Sequence, residues 1–283
     1  MSQPLKSNDE QIEFWNGDAG KRWVSQQLQL DAMLAEVGTQ ALKLAAAKPG
    51  EHVLDIGCGC GDTALQLANL VGANGRVVGL DISEPMLAQA KTRAAAQKLP
   101  VSFVKADASE HRFDAASFDL LFSRFGVMFF ADPDKAFANM RKALKPSGRA
   151  AFACWREPRE NDWVRVPVGA ARPHVPPQPQ LGPEDPGPFS FANPGRVRRI
   201  LASGGFDVIT IRPFDTPIRL GDTLDDAVVY IQEFGPVSRL LKDASAPQRE
   251  AAVGAIREAM APYAKSSPVQ LAGAVWLVTA KCG

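Results

Sequence analysis

Three alternating glycines at positions 57, 59 and 61 constrain this chain more than any other stretch of it. They follow a short apolar run, residues 53–56, of the kind that forms a buried parallel strand. Asp62 and Thr63, whose side chains can cap a helix, come next and introduce a helical pattern. Because glycine allows a tight turn and leaves no Cβ in a ligand's path, the stretch predicts a cradle for a nucleotide-type ligand.

The carboxylate of Asp55, inside the end of that strand, narrows the choice of ligand. The dinucleotide fingerprint is G-x-G-x-x-G with a pyrophosphate at the helix N-terminus, whereas the spacing here is D-x-G-x-G-x-G. An anion beside Asp55 would be repelled, while an amine or a sulfonium would not. The alternatives are another nucleotide, or a glycine turn without a ligand.

This stretch resembles motif I of the class I S-adenosylmethionine (SAM)-dependent methyltransferases. The resemblance implies that Asp55 binds a water or an amine and that the main chain at Gly57 binds the amino-acid end of SAM. Gly59 and Gly61 complete the cofactor turn. SAM is therefore the expected cofactor.

A second apolar run, residues 76–81, ends in Asp81. In a doubly wound sheet, the end of the second strand lies beside the ribose of a ligand held at the first turn. We therefore expect Asp81 to accept hydrogen bonds from ribose hydroxyls, and Ile82 and Met86 to contact the adenine. The alternative is that Asp81 caps the helix predicted over 85–98.

The resemblance covers residues 50–155, a little over a third of the chain, through an ordered series of motifs. Asp107 and Ala108, after the third apolar run, match the position that reads the adenine amino group. The patterns F-x-x-x-S-F-D and L-K-P-x-G precede the predicted fourth and fifth strands, the fifth over 150–155. Ser123 lies at the carboxyl end of the fourth strand, where ligands bind in open α/β sheets.

The segments that flank this block are expected to cover the carboxyl edge of the sheet. Trp15 and Trp23 either anchor an N-terminal helix or form a lid over SAM; the resemblance to small-molecule methyltransferases implies the lid. Residues 156–194 contain ten prolines, a density that excludes continuous helix or sheet and allows a flexible linker. The apolar residues of this segment, Trp163, Val164, Phe189 and Phe191, favour an ordered cap instead, as does the resemblance, which places substrate-binding insertions here. Strands are predicted at 206–213 and 272–281.

The predicted fold class is α/β: a Rossmann-like, seven-stranded, mostly parallel sheet with helices on both faces, plus an N-terminal helix and an inserted cap. The predicted domains are an N-terminal helical lid (1–47), a SAM-binding core (48–155), a proline-rich cap insert (156–194) and a C-terminal part of the core (195–283) with a helical insertion (216–266).

Catalytic residues do not stand out, and only two candidates are named. His174 could act as a base, or be an ordinary loop histidine. Arg124 could bind an acidic group of the substrate, or pair with a surface carboxylate. Methyl transfer from a sulfonium is an in-line displacement in which the protein mainly positions the reactants, so a dedicated base is not required.

Composition limits the partners. The formal net charge is +1, which gives no basic footprint for nucleic acid, and no apolar stretch reaches the roughly 18 residues of a membrane span. Cys58 and Cys60 are too close together for an ordinary disulfide, and the scattered histidines predict no metal site. We expect a cytoplasmic monomer or homodimer.

The predicted function is a methyltransferase that acts on a small molecule, with no nucleic-acid or membrane partner. A non-catalytic SAM-binding protein and an NAD(P)-dependent oxidoreductase are the alternatives. The acceptor is expected to be apolar or aromatic and enclosed by the cap, whose candidate aromatic residues are Trp15, Trp23, Phe189, Phe191, Tyr230 and Phe234.

Overall fold

The computed structural model describes residues 8–178 and 182–282, and is built around one sheet of seven strands. The strands are β1 (His52–Ile56), β2 (Arg76–Asp81), β3 (Val101–Lys105), β4 (Phe118–Arg124), β5 (Leu144–Trp155), β6 (Phe206–Gly221) and β7 (Val269–Cys282). Their spatial order is β3-β2-β1-β4-β5-β7-β6. β1 to β5 pair in parallel, and β7 runs antiparallel to both of its neighbours. The predicted Rossmann-like, mostly parallel sheet is confirmed.

Eleven helices of the described residues surround this sheet. They are α1 (Asp9–Asn16), α2 (Asp18–Ser25), α3 (Gln27–Ala45), α4 (Asp62–Val71), α5 (Glu84–Gln97), α6 (Pro133–Ala143), α7 (Asp162–Ala171), α8 (Pro194–Ser203), α9 (Leu224–Glu233), α10 (Gly235–Leu240) and α11 (Ala246–Met260). Local chemistry starts several of them. Asn193 accepts a hydrogen bond from the Gly195 N–H at 2.8 Å and caps α8, and Thr223 caps α9.

The core lies along the central strands. Val53, Leu54, Leu120, Leu121 and Phe122 are almost completely buried, as expected for parallel strands that are covered on both faces. These apolar runs fix β1 and β4 at the middle of the sheet. Their carboxyl ends therefore meet at one edge, where a ligand site is expected.

The last two strands are longer than predicted. β6 continues from the expected 206–213 to Gly221, where it pairs with Val269, whereas β5 ends opposite Val275. Pro213 and Pro217 do not interrupt it, because β6 is an edge strand and needs no hydrogen bonds on its outer side. The β6–β7 ribbon thus extends past the carboxyl edge, and the helical insertion begins after 221 and not at 216.

Two further expectations were wrong in detail. β5 begins at Leu144, so the L-K-P-x-G turn lies inside an irregular part of that strand, where its register with β4 shifts. The proline-rich insert contains a continuous helix, α7, with Pro167 inside it. Buried Trp163 and Val164 hold α7 on the core despite the hydrogen bond that the proline removes. Residues 1–7 of the predicted lid and 179–181 of the insert lie outside the described residues.

Candidate functional site

The glycine turn between β1 and α4 has a main-chain conformation that side chains disfavour. Gly57, Gly59 and Gly61 have φ values of +64°, +53° and +85°. A Cβ on Gly57 would lie 2.6 Å from the Cα of Gly126, so two main chains approach closely there. A Cβ on Gly59 would meet only Met86 Sδ, at 3.8 Å, among the described atoms. The turn is therefore closed at Gly57 and open at Gly59.

Asp81 connects the end of β2 to this turn. Its Oδ2 accepts a hydrogen bond from the Gly59 N–H, and its Oδ1 accepts one from the Ser83 N–H, both at 2.8 Å. Ser83 is the residue before α5, and the Asp81 side chain does not cap that helix. Burial raises the pKa of Asp81 above its usual value. The structure therefore does not have Asp81 as a helix cap. It places the Asp81 carboxylate beside the open side of the turn.

Asp55 is fully buried at the end of β1 with one oxygen free. Thr63 Oγ donates to Oδ2 at 2.7 Å, whereas Oδ1 has no hydrogen-bond partner within residues 8–178 and 182–282. Burial raises the pKa of this carboxyl to about 7, although Thr63 and Arg124 oppose the shift. An orphaned acceptor beside the glycine turn fits a ligand that brings a cationic or hydrogen-bonding group.

The Asp55 carboxyl predicts a dependence of stability on pH. The unfolded protein loses this proton near pH 3.8 and the folded protein near pH 7, so the folded state holds more protons between these values. Folding stability should therefore fall as pH rises through that window, by about 1.4 kcal/mol for each unit of pKa difference. Thermal unfolding from pH 4 to 8 should show a smaller fall for Asp55→Asn, which has no proton to lose. Parallel curves for the two proteins would contradict the assignment.

Asp107 follows β3 and is already engaged by the N-terminal segment. Asn8 Nδ2 donates to its Oδ2 at 2.7 Å, and the Ser109 N–H donates to its Oδ1 at 2.8 Å. Asn8 Oδ1 in turn accepts from the Ala131 N–H at 2.8 Å. Ala108, the second predicted adenine residue, is buried. The structure thus brings Asp107 under the start of α1.

The N-terminal helices are attached directly to the end of β2. The carbonyl of Trp15 accepts from Ser83 Oγ at 2.7 Å, and Asn16 Nδ2 donates to the Ile82 carbonyl at 2.9 Å. Gly20 makes this possible, because a Cβ there would lie 2.0 Å from the Trp15 carbonyl oxygen. The predicted site residues Trp15, Ile82 and Asp81 therefore meet at one place.

Half-buried aromatic rings join the N-terminal helices to the core and to α9. The Trp15 ring lies 5.4 Å from both Phe129 and Trp23, and Trp23 lies 6.2 Å from Phe234, all edge to face. Phe191 was expected in the same cap but is 1% exposed. It packs in the core beside α6 and β5, so it cannot line a pocket.

The two catalytic candidates lie in different surroundings. Arg124 Nη1 donates to Asp62 at 2.7 Å, and its other terminal nitrogen is 3.9 Å from Asp31. Arg124 thus pairs with carboxylates of α4 and α3. Pairing with a carboxylate was one of its two predicted roles, but these carboxylates are largely buried and not at the surface. His174 is exposed in the short turn after α7. Ser123 is buried, and its Oγ donates to the Ile56 carbonyl at 2.8 Å, which ties β4 to β1 beside the turn.

Sequence reasoning missed several residues of this region. Asn16 lies in the F-W-N-G stretch, whose turn signal could have indicated it. Asn8, Ser83 and Phe129 have no motif of their own. Arg93 gave no signal because its partners are 33 and 62 positions away.

Comparison with known proteins agrees with this geometry. Residues 53–148 match the family described as "Methyltransferase domain". They include all of β1 after its first residue, the glycine turn, Asp81, Asp107 and the whole of β4. This part of the chain is therefore similar to a methyltransferase domain.

Related proteins differ in how much of the chain they match. The 2-phytyl-1,4-naphtoquinone methyltransferase of Trichormus variabilis is 36% identical over 125 residues, 44% of this chain and 55% of that protein. The chain thus spans about half the length of such naphthoquinone relatives. Nocamycin O-methyltransferase of Saccharothrix syringae is 29% identical over 256 residues, 87% of this chain and 90% of that protein.

Solved structures share the fold at low identity. Phosphoethanolamine N-methyltransferase 2 of Haemonchus contortus, in complex with S-adenosyl-L-methionine, superposes with a TM-score of 0.59 at 19% identity. The superposition covers 100% of this chain and 62% of that protein. The [4+2]-cyclase SpnF has a TM-score of 0.56 at 16% identity and covers 100% and 99%. A methyltransferase and a cyclase thus have similar folds, so the fold alone does not decide the activity.

Two features are absent from the described residues. None of the helices in 8–178 and 182–282 is long and apolar enough to cross a membrane. In the same residues, no three His, Cys, Asp or Glu side chains come together as potential metal ligands.

Proposed function

We propose that this protein is a SAM-dependent methyltransferase that acts on a small-molecule acceptor. One observation carries the proposal: the open glycine turn, Asp81 and the orphaned oxygen of Asp55 meet at the carboxyl edge of a sheet whose core matches a methyltransferase domain. The alternatives, a SAM-binding protein without turnover and an NAD(P)-dependent oxidoreductase, have no specific observation of their own.

The proposed cofactor contacts follow from position along the edge. Asp55 Oδ1 and the Gly57 main chain would hold the amino-acid end of SAM. The turn at Gly59 and Gly61 would face the centre of the cofactor. Asp81 would accept hydrogen bonds from the ribose hydroxyls. The remaining proposed contacts are Ile82, Met86, Asp107 and Ala108 with the adenine, Ser123 beside the turn, and Trp15 and Trp23 as the lid.

The chemistry of the bound cofactor is a methyl group activated by a sulfonium, which an electron-rich acceptor can displace in line. This chain's residues orient the two reactants and exclude water. Exposed His174 and salt-bridged Arg124 are poorly placed to hold a proton for such a step. We therefore propose that positioning, and not a protein base, supplies most of the rate enhancement.

The acceptor site is proposed at the seam between α2 and α9. Trp23 and Phe234 meet there edge to face. A groove of about 390 Å³ lies next to these two rings and has the volume of a small-ligand site. Its lining residues are mostly polar and include Gln26, Tyr230 and Glu233, which lie close to the two rings in sequence. An apolar or aromatic acceptor would contact the half-buried rings of Trp23 and Phe234, with its polar groups in the groove. We further propose that the protein is cytoplasmic, that it is a monomer or a homodimer, and that it binds neither membrane nor nucleic acid.

Trp23→Ala and Phe234→Ala should separate acceptor binding from cofactor binding. Each change removes a ring from the seam, so the KM for the acceptor should rise about 10-fold, the effect of losing one aromatic contact of about 1.4 kcal/mol. The Kd for SAM should change little for Phe234→Ala. Leu28→Ala, an apolar lid residue that is 80% exposed, is the control. Equal acceptor KM values for all four proteins would place the acceptor elsewhere.

Activity itself is tested with SAM labelled in its methyl group. Purified protein and fractionated metabolite pools should give a labelled small molecule and S-adenosylhomocysteine in equal amounts. Label on RNA or protein alone would overturn the acceptor class. Binding of SAM without any release of S-adenosylhomocysteine would favour the non-methylating alternative, and thermal stabilisation by NAD but not by SAM would favour the oxidoreductase.

A further inference from the structure

Arg93 on α5 joins the glycine turn to the N-terminal helices. Its Nη1 donates to the carbonyl oxygen of Cys60 at 2.7 Å, and its Nη2 donates to Asp31 on α3 at 2.9 Å. The side chain is 18% exposed, so water competes weakly for these bonds. The guanidinium is planar and rigid, and it therefore fixes the Cys60 carbonyl and the Asp31 carboxylate relative to each other.

Asp31 is itself held by several groups that surround the turn. Gln27, one turn earlier on α3, donates to the Asp31 carboxylate. Arg124 approaches Asp31 at 3.9 Å while it pairs with Asp62, the first residue of α4. Two arginines and two carboxylates thus form one cluster between α3, α4, α5 and β4. None of these four side chains belongs to the proposed cofactor contacts.

The position of the Cys60 carbonyl matters because its neighbours are glycines. Gly59 and Gly61 have the widest choice of main-chain conformations, and a turn built on them loses much entropy when it is ordered. The hydrogen bond from Arg93 to the Cys60 carbonyl, which lies between these two glycines, limits the conformations of both. Ordering the turn before the ligand arrives removes part of the cost of binding.

We infer that Arg93 is a positioning residue for the cofactor: through the Cys60 carbonyl it holds the glycine turn in its open conformation, and Asp31 holds Arg93 in place. Docking of α3 and affinity for the cofactor are then coupled. The inference rests on the proposed function, since it assumes that the turn binds SAM.

Titration calorimetry of Arg93→Met with S-adenosylhomocysteine tests the inference. Loss of one hydrogen bond from a charged donor should weaken binding about 10-fold. The KM for SAM should rise by a similar factor, while kcat at saturation stays near that of the wild type. Amide hydrogen exchange at 58–61 should become faster in the ligand-free variant. Lys91→Met, an exposed change two positions earlier on α5, is the matched control.

Asp31→Asn provides the second arm. If Asp31 acts through Arg93, the double variant should lose less affinity than the sum of the losses in the two single variants, as measured in a double-mutant cycle. Arg93→Lys keeps the charge beside Asp31 but offers no fork, and it should bind with intermediate affinity. It replaces Arg93→Met in the cycle if that variant does not fold.

The outcomes separate the inference from the function. A wild-type protein that binds neither SAM nor S-adenosylhomocysteine overturns both. If the wild type binds, and Arg93→Lys and folded Arg93→Met bind with the same affinity as the wild type, only the positioning role is overturned. Lower thermal stability with unchanged affinity would make Arg93 a purely structural residue.

Discussion

Gly59→Val is expected to lose SAM binding by about 100-fold or more, which corresponds to about 2.8 kcal/mol or more. A Cβ on Gly59 would point to the open side of the turn, where only Met86 Sδ lies within 4 Å among the described atoms. The branched side chain would then occupy the space proposed for the cofactor. Calorimetry with SAM on the folded variant is the measurement.

Gly72 offers a matched control for that change. It ends α4, has a φ of +67° against +53° at Gly59, and a Cβ there would meet no described atom within 4 Å. Gly72→Val therefore also places a valine at a positive φ, with a backbone strain of about 1–3 kcal/mol, but away from the turn. Both variants should unfold at lower temperature, but only Gly59→Val should lose SAM. If valine is not tolerated, the corresponding alanine pair applies the same comparison. Equal affinities in the two variants would remove Gly59 from the site.

Asp81→Ala should lower the affinity for SAM roughly 10- to 150-fold, because hydrogen bonds to a charged acceptor are worth about 1.5–3 kcal/mol. The structure adds a second reason. Asp81 also accepts the Gly59 N–H, so the variant frees that donor and loosens the turn. Affinities for SAM and for its 2′-deoxyribose analogue distinguish the two effects. If Asp81 contacts the ribose directly, Asp81→Ala should lower the affinity for the analogue less than it lowers the affinity for SAM.

Asp119→Ala is the control for that experiment. Asp119 lies at the amino end of β4, where it accepts the His52 N–H at 2.9 Å and pairs with Lys145. Its removal also takes a half-buried carboxylate and a main-chain bond from the sheet, but at the opposite edge. Stability should fall in both variants, and affinity only in Asp81→Ala. Full affinity of a folded Asp81→Ala protein would refute the ribose assignment.

The sequence alone determined the middle of this protein. Residues 53–56, 76–81 and 118–123 are short, mostly apolar runs of the length of buried strands, and three glycines specify the turn after the first of them. Parallel connection then brings their carboxyl ends to one edge. For that reason the relative positions of Asp55, the glycine turn and Asp81 could be predicted before any contact was seen. The ligand roles of these residues stay predictions.

Tertiary structure decided whatever depends on a distant partner. β6 continues past Pro217 because β7 lies on its inner side and no described strand lies on its outer side. Phe191 lies in the core because its ring packs against Phe137 of α6 and Phe152 of β5. Arg93 and Cys60 come together only because α5 packs beside the turn. Periodicity and spacing report on neighbours within one element, whereas these features depend on which surfaces the folded chain places in contact. No local pattern records that choice.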